Sequence, residues 1–337
     1  MRYASPMQLA RFPRRRYTPH FTPLEKLPNL TAALGGPEIW IKRDDLLGLA
    51  AGGNKTRKLE FLVADALAQG ADTLITVGAP QSNHCRLTLA AAAKEGLKCR
   101  LVLEQRVAGS YDPNATGNNF LYNLLGAEKI SVVNGGDDLN AAMQAQAAEL
   151  EAAGRKGYII PGGSSNPLGA LGYVACAHEI AAQSFEQSIS FDRIVVASGS
   201  CGTHSGLLVG AKSVNFDAPI TGINVRRPRA AQEGNLLKLA RETAALLKIE
   251  SPEAKDVTAL DEWVGGGYSI PTDEMIEAVQ MLARLEGVLL DPVYSGKAMA
   301  GLIGLARRGE FKRGERVLFV HTGGAPALFA YQNVLQS

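Results

Sequence analysis

Residues 72–105 read "DTLITVGAPQSNHCRLTLAAAAKEGLKCRLVLEQ". An apolar run, "DTLITVGA", gives way to a helical pattern, "NHCRLTLAAAAKEG", and then to a second apolar run, "KCRLVLEQ". Two apolar strands separated by a helix form the repeating unit of a parallel sheet, because a parallel partner is reached only by a crossover. The alternation continues. "KISVVN" precedes "DDLNAAMQAQAAELEAAG", followed by "GYIIPGG", the helical "LGALGYVACAHEIAAQ" and "DRIVVASGS"; "APITGINV" and "RVLFVHTGG" come later. Strands that are apolar throughout, rather than at alternate positions, are covered on both faces. The expected fold is therefore α/β, with mostly parallel twisted sheets flanked by helices. In such folds ligands collect at the carboxyl ends of strands, so the strand exits are where chemistry is expected.

A chain of 337 residues is long enough to divide into two lobes. A net charge of +2 does not provide the basic face that nucleic acid requires, and no apolar run approaches the ~18 residues of a membrane helix. The N-terminal "MRYASPMQLARFPRRRYTPHF" is basic but has no apolar signal core, so cytoplasmic residence is expected. Cys85, Cys99, Cys176 and Cys201 show no CxxC spacing, and His20, His84, His178, His204 and His321 form no HExxH pair, so no metal is expected.

Three strand exits carry polar groups. In "VVASGSCGTHSGLLVGA" a strand turns through Gly199, Ser200, Cys201, Gly202 and Thr203 into a helix, aiming free N–H groups and a helix dipole at one point, as a phosphate requires. The same turn also suits a tight connection with no ligand. A dinucleotide site is a third reading: Arg226 and Arg227 follow the next strand, but glycines at 199, 202 and 206 do not make GxGxxG. In "VGAPQSNHCRLT" a helix starts at Ser82, Asn83 and His84, a polar helix N-terminus suited to a carboxylate, where Ser82 is also an ordinary N-cap. "LLDPVYSGKAMAG" and "LFVHTGGAPALFAY" place Tyr294, Ser295 and Thr322 at further turns, and "GGGYSIP" sets Tyr268 in a glycine-rich loop able to cover a pocket.

One lysine is placed unusually. In "LAAGGNKTRKLEFLVADA", Lys55 follows Gly52, Gly53 and Asn54 at the start of a helix whose Leu59, Leu62, Val63, Ala66 and Leu67 share a face. Asn54 is the expected N-cap. A lone lysine in a first turn is commonly solvated. Set beside a phosphate cup without a P-loop lysine, a carboxylate cup and candidate tyrosines, it fits a cofactor that bears both a phosphate and an aldehyde, acting on an amino acid. Pyridoxal 5'-phosphate is that cofactor.

"GGNKTRKLEF", "QSNH", "SGSCGTH", "LLDPVYSGKAMAGL" and "HTGGAPALFAY" resemble the D-cysteine desulfhydrase and 1-aminocyclopropane-1-carboxylate deaminase family of fold-type II pyridoxal-phosphate enzymes, related to the tryptophan synthase β chain. The likeness runs from "LARFPRRRYTPHFTPLEKLP" to the C-terminus. It implies that Lys55 binds the cofactor aldehyde and, once released by the substrate amine, moves the Cα proton. Asn83 would bond the ring hydroxyl, Ser82 and His84 would help hold the substrate carboxylate, and Asn54 would support the cofactor. Residues Gly199, Ser200, Cys201, Gly202 and Thr203 would hold the phosphate, with Tyr268 and Tyr294 on the substrate side. It also implies a homodimer. Because Lys55 precedes one helix–strand series while the phosphate turn belongs to another, a large cofactor-binding domain from 1–58 and 165–337 and a small domain from 59–164 are expected, with the pocket between them.

The likeness includes a departure. The deaminases resemble "DPVYEGK" and "HLGG", with a glutamate at the pyridine nitrogen, where this chain has Ser295 and Thr322. A hydroxyl leaves that nitrogen closer to neutral and weakens the electron sink, which points away from ring opening and toward β-elimination. D-cysteine losing sulfide and L-cysteate losing sulfite are the competing substrates. A sulfonate calls for a cationic pocket, for which Arg86 and the cluster Arg226, Arg227 and Arg229 are candidates. Binding of cofactor or amino acid without turnover is a further reading, opposed by the intact set Lys55, Ser82, Asn83, Tyr268 and Tyr294.

Overall fold

The computed structural model describes residues 9–107 and 109–336; residues 1–8, the head of the basic N-terminal stretch, lie outside the described residues. Ten strands run in chain order: β1 (Leu24–Lys26), β2 (Glu38–Lys42), β3 (Thr73–Gly78), β4 (Lys98–Gln105), β5 (Lys129–Asn134), β6 (Gly157–Ile160), β7 (Arg193–Ser198), β8 (Ile220–Asn224), β9 (Thr258–Leu260) and β10 (Arg316–Val320). They form two sheets, one ordered β1-β2-β10-β7-β8-β9 and the other β5-β4-β3-β6. Every pairing is parallel except β1 with β2. The helices are α1 (Pro28–Leu34), α2 (Lys55–Ala68), α3 (Asn83–Glu95), α4 (Asn118–Leu124), α5 (Leu139–Ala152), α6 (Pro167–Glu186), α7 (Gly202–Ser213), α8 (Arg229–Leu247), α9 (Asp273–Glu286), α10 (Ser295–Arg307) and α11 (Gln332–Leu335).

The apolar runs are explained by how each strand divides its side chains. Successive residues of a strand point to opposite faces. Ile194 and Val196 of β7 enter a core with α6, α7 and α8, while Val195 and Ala197 enter another with α1, α9 and α10. The smaller sheet repeats this, with Leu101 and Leu103 of β4 facing α2 and α3 and Val102 facing α5. Both faces are covered, so alternation is absent from the sequence.

Helix α2 departs from the one-faced pattern expected of it. Lys55 through Ala64 are all buried, polar residues included. The helix packs on both α6 and α3, close enough to α6 that a Cβ on Gly172 would lie 2.4 Å from the Arg57 carbonyl. Around Arg57 its polar side is buried because it is paired. Arg57 forks onto Asp44 through Nε and Nη2, both at 2.7 Å, and reaches Glu179 Oε2 through Nη1 at 2.9 Å. Lys42 Nζ donates to the other Glu179 oxygen at 2.5 Å. Residues 58 and 59 lie inside this unbroken helix, which connects β2 of the six-stranded sheet to β3 of the four-stranded one and packs against helices of both.

Removing one partner of a buried ion network leaves an uncompensated charge, so Glu179→Leu is expected to cost about 3–5 kcal/mol in urea unfolding. A loss below about 1 kcal/mol would show that Asp44 alone neutralises Lys42 and Arg57. Burial by itself would raise the Asp44 pKa, but Arg57, Lys42 and the Tyr173 hydroxyl hold it down at about 2. Because the folded value lies below the ordinary 3.8, this contribution is complete above about pH 4 and is lost as pH falls toward 2. Acid titration of stability should show that loss, and Asp44→Asn should remove it.

Candidate active site

The exits of β3, β7 and β10 meet the N-terminus of α2. Asn54, Lys55, Asn83, residues 197–201, Thr203, His204, Tyr294, Thr322 and Gly323 line an inner cavity there. It opens into an outer chamber of about 460 Å³ that shares Lys55, Asn83 and Tyr294 and adds Ser82, His84, Arg106, Arg226, Arg227 and Tyr268.

Lys55 is delivered by a turn that few residues other than glycine adopt. Ala50, Ala51, Gly52 and Gly53 all have positive φ, and a Cβ on Gly52 would fall 1.6 Å from the Asp45 carbonyl oxygen. The turn is pinned by Gly53 N–H donating to Asp44 O (3.1 Å) and Asn54 N–H to Thr322 O (3.0 Å). Asn54 occupies the N-cap position but its side chain does not cap α2. Its Oδ1 accepts from Lys55 Nζ (3.0 Å) and its Nδ2 donates to Thr203 Oγ1 (2.8 Å), so it ties the lysine to the turn after β7. Burial lowers the Lys55 pKa to about 8; nearby Asp291 opposes the shift and Arg86 adds to it. An amine this close to neutral is a competent nucleophile and base.

The β7–α7 turn has the features of an anion cup. Cys201 takes a positive φ of 75° before α7 starts at Gly202. Thr203 Oγ1 spends a lone pair on Asn54, which leaves its O–H to donate. Lys58, one turn along α2 from Lys55, has Nζ 3.0 Å from Gly163 O, and a Cβ on Gly202 would sit 2.9 Å from that ammonium. Burial and the Lys55 charge hold the Lys58 pKa well below its ordinary value. Lys55, Lys58 and Arg86 are buried, and among the described residues none has an ion-pair partner. Lys58 against the N-terminus of α7, with Lys55 one turn away on α2, fits a phosphate-bearing ligand.

At the β3–α3 exit Ser82 caps the helix, its Oγ accepting from Cys85 N–H at 3.2 Å. His84 lines the outer chamber, but Thr76 Oγ1 (2.7 Å) and Ser164 Oγ (3.3 Å) occupy its ring nitrogens, and burial with the Lys55 and Lys58 charges keeps it neutral. Any hold it has on a carboxylate comes from its backbone N–H at the helix end. Tyr268 and Tyr294 join hydroxyl to hydroxyl at 2.6 Å, with the Arg106 guanidinium 4.4 Å from the Tyr268 ring centre.

Of the two hydroxyls expected at the ring nitrogen, the structure brings only Thr322 to the cavity, with its Oγ1 buried and unpartnered. Ser295 turns away: its hydroxyl donates to Asp291 Oδ1 and accepts from Asp291 N–H, both at 2.7 Å, closing the turn before α10. The arginines also separate. Arg226 and Arg227 line the outer chamber, Arg86 lines neither cavity, and Arg229 pairs with Glu233 on α8. Lys58 and Arg106 were not singled out from the sequence. Lys58 stands at i+3 from Lys55, the spacing of neighbours on a helix face, and Arg106 directly follows β4, so both had a signal.

The donor set fits pyridoxal phosphate: a near-neutral buried lysine, a phosphate-type cup, an asparagine on the cavity wall and an unpartnered hydroxyl. The comparisons with known proteins agree. Over 325 residues the chain is 48% identical to a D-cysteine desulfhydrase of Yersinia enterocolitica, covering 96% of this chain and 97% of the relative. Among solved structures, an ACC deaminase homologue superposes with a TM-score of 0.88 at 42% identity, covering 97% of each chain. Residues 16–323 match the family model described as "Pyridoxal-phosphate dependent enzyme", and the chain belongs to that family.

Proposed function

We propose that the protein is a β-eliminating lyase that converts D-cysteine and water to pyruvate, ammonia and hydrogen sulfide. The observation that carries this reading is the Thr322 hydroxyl, buried and unpartnered in an inner cavity lined by no carboxylate. When bound, pyridoxal phosphate supplies an aldehyde for the amino group and a ring that withdraws electrons from Cα. With a hydroxyl at the ring nitrogen that withdrawal is modest, which suffices to expel a thiolate and falls short of opening a strained carbon ring. The likeness to a D-cysteine desulfhydrase supports the choice of substrate.

In this reading Lys55 Nζ would hold the aldehyde and, once free, would take the Cα proton. The Thr203 hydroxyl, the N–H groups of the 199–203 turn and Lys58 would hold the phosphate. Asn83 would donate to the ring hydroxyl, and Thr322 Oγ1 would be the partner of the ring nitrogen. Ser82 and the N-terminus of α3 receive the substrate carboxylate. The Cβ–S bond breaks with its electron pair leaving on sulfur, and the Tyr268–Tyr294 pair presents a proton there. Burial, reinforced by Tyr268, pushes the Tyr294 pKa well above its ordinary value, so it stays a neutral donor.

Sulfite release from L-cysteate is a second reading, favoured by Arg226. That side chain faces the outer chamber, has no ion-pair partner among the described residues, and has its pKa lowered by burial and by Arg106 and Arg227. Cytoplasmic residence is supported by four free, buried cysteines, and among the described residues no helix is long and apolar enough to cross a membrane. A homodimer rests on the family resemblance alone.

Only a neutral amine attacks an aldehyde, so loading of the apoprotein with pyridoxal phosphate should accelerate with pH through about 8 and then level off. A rate still climbing toward 10 would contradict a lowered lysine, and Lys55→Ala should give no visible band. Among D-cysteine, L-cysteine, L-cysteate and aminocyclopropane carboxylate, kcat/KM should be highest for D-cysteine and lowest for the cyclopropane. Cysteate ahead of D-cysteine would establish the second reading. In that case Arg226→Gln should cost cysteate about tenfold, the modest effect of an exposed charge, and leave cysteine within about twofold.

A further inference from the structure

Arg86 is fully buried on the first turn of α3 and touches neither cavity, yet three of the site's parts meet on it. Its Nη1 donates to Asn83 Oδ1 at 3.1 Å and to Asn118 Oδ1 at 2.6 Å, and its Nη2 donates to the Gly52 carbonyl at 2.8 Å. Among the described residues no carboxylate pairs with it, and burial takes its pKa down to about 10. An unpaired buried guanidinium is costly to the fold, which is the usual mark of a group kept for its function.

The chemistry of the guanidinium decides how its neighbours are oriented. It carries only donors, so each amide atom that faces it must be an oxygen. Asn118 therefore turns its NH2 away from Arg86, to Gln81 O at 3.0 Å and to Asn83 Oδ1 at 2.8 Å. Asn83 Oδ1 now receives two donors, and its own NH2 is left on the opposite side. Asn83 lines both cavities, a Cβ on Gly324 would lie 2.5 Å from that nitrogen and 2.9 Å from Asp291 Cγ, and among the described residues nothing accepts from it. Rotated by half a turn, the same amide would offer the chamber an acceptor.

We infer that Arg86 is a positioning residue: its donor-only fork sets the Asn83 amide with its NH2 toward the cofactor chamber and, through the Gly52 carbonyl, holds the turn three residues before Lys55. The inference rests on the proposed contact between Asn83 and the ring hydroxyl. A donor at that oxygen stabilises its ionised form, whereas a flipped amide opposes it.

The test uses the full-length protein with pyridoxal phosphate as probe. It reads the dissociation constant of the cofactor from the apoprotein and the pH midpoint of the bound visible band, in wild type, Arg86→Lys, Arg86→Met and Asn118→Leu. Arg86→Met should weaken cofactor binding about tenfold, as loss of a hydrogen bond to a charged group does, and raise the midpoint by about one unit. Arg86→Lys, which still offers only donors, should return both readouts most of the way. Asn118→Leu leaves the charge in place and removes one donor, so it should raise the midpoint by a smaller amount. Equal losses in Arg86→Lys and Arg86→Met would mean the side chain merely fills space and would overturn the inference. So would an unmoved midpoint in Asn118→Leu, which also decides the matter if Arg86→Met does not fold. Failure of the wild type to bind the cofactor or form pyruvate would instead defeat the proposed function, an outcome distinct from any of these.

Discussion

Two residues beyond Lys55, the Arg57 guanidinium is locked onto Asp44 and Glu179. That contact determines where the lysine can be. Asp44 sits two residues past the end of β2 and Glu179 on α6, so the fork joins the exit of the large sheet, its covering helix and α2 at one point. With α2 fixed in azimuth and depth, Lys55 at its first residue has only its side-chain rotamers left to vary. The positive-φ turn before it, held by Arg86 on Gly52 and by Asp44 on Gly53, closes off the rest. A lysine on a helix start would otherwise suffer the fraying common to helix ends.

The buried cations on and around α2 divide into two sets according to whether a carboxylate meets them. Lys42 and Arg57 are matched by Asp44 and Glu179 and belong to the framework. Lys55, Lys58 and Arg86 have only neutral oxygens within hydrogen-bonding reach. Burial lowers the pKa of all three, while the Arg57 pKa is raised well above its ordinary value because Asp44 and Glu179 outweigh its desolvation. The same elements thus hold a neutralised network on one side of α2 and an unneutralised one a turn away, and only the second has use for an incoming anion.

Much of this was legible in the sequence because the signals were local. Strand–helix alternation marked the two parallel sheets, and glycine-bearing exits marked the turns around Lys55, Thr203 and Thr322. What stayed hidden depends on which way a side chain turns. Ser295 and Thr322 are equally small and equally placed at turns, yet the Asp291 carboxylate draws the first inward and leaves the second on the cavity wall. Asn54 looked like a cap because asparagine before a helix usually is one; here Lys55 Nζ takes its Oδ1, and Thr203, remote in sequence, accepts from its Nδ2. Arg86 was legible as a cation near the site but not as a clamp, since Asn118, the second asparagine it meets, arrives only once α4 packs against α3.

The unneutralised cations also link the fold to its cofactor. A buried charge without a partner destabilises the protein by several kcal/mol, and a dianionic phosphate beside Lys58 and the α7 terminus would offset part of that cost. Any ligand that binds only the folded state stabilises it by mass action, and here the gain would be concentrated where α2, α6 and α7 come together, at Gly172, Gly202 and Gly206, whose missing side chains let those helices approach. The unneutralised cations that cost the fold stability are therefore the ones that would favour an anion. A neutral cup would be more stable without ligand and would discriminate less between a phosphate and water, while an acidic partner for Lys58 would compete with the phosphate for the same donors.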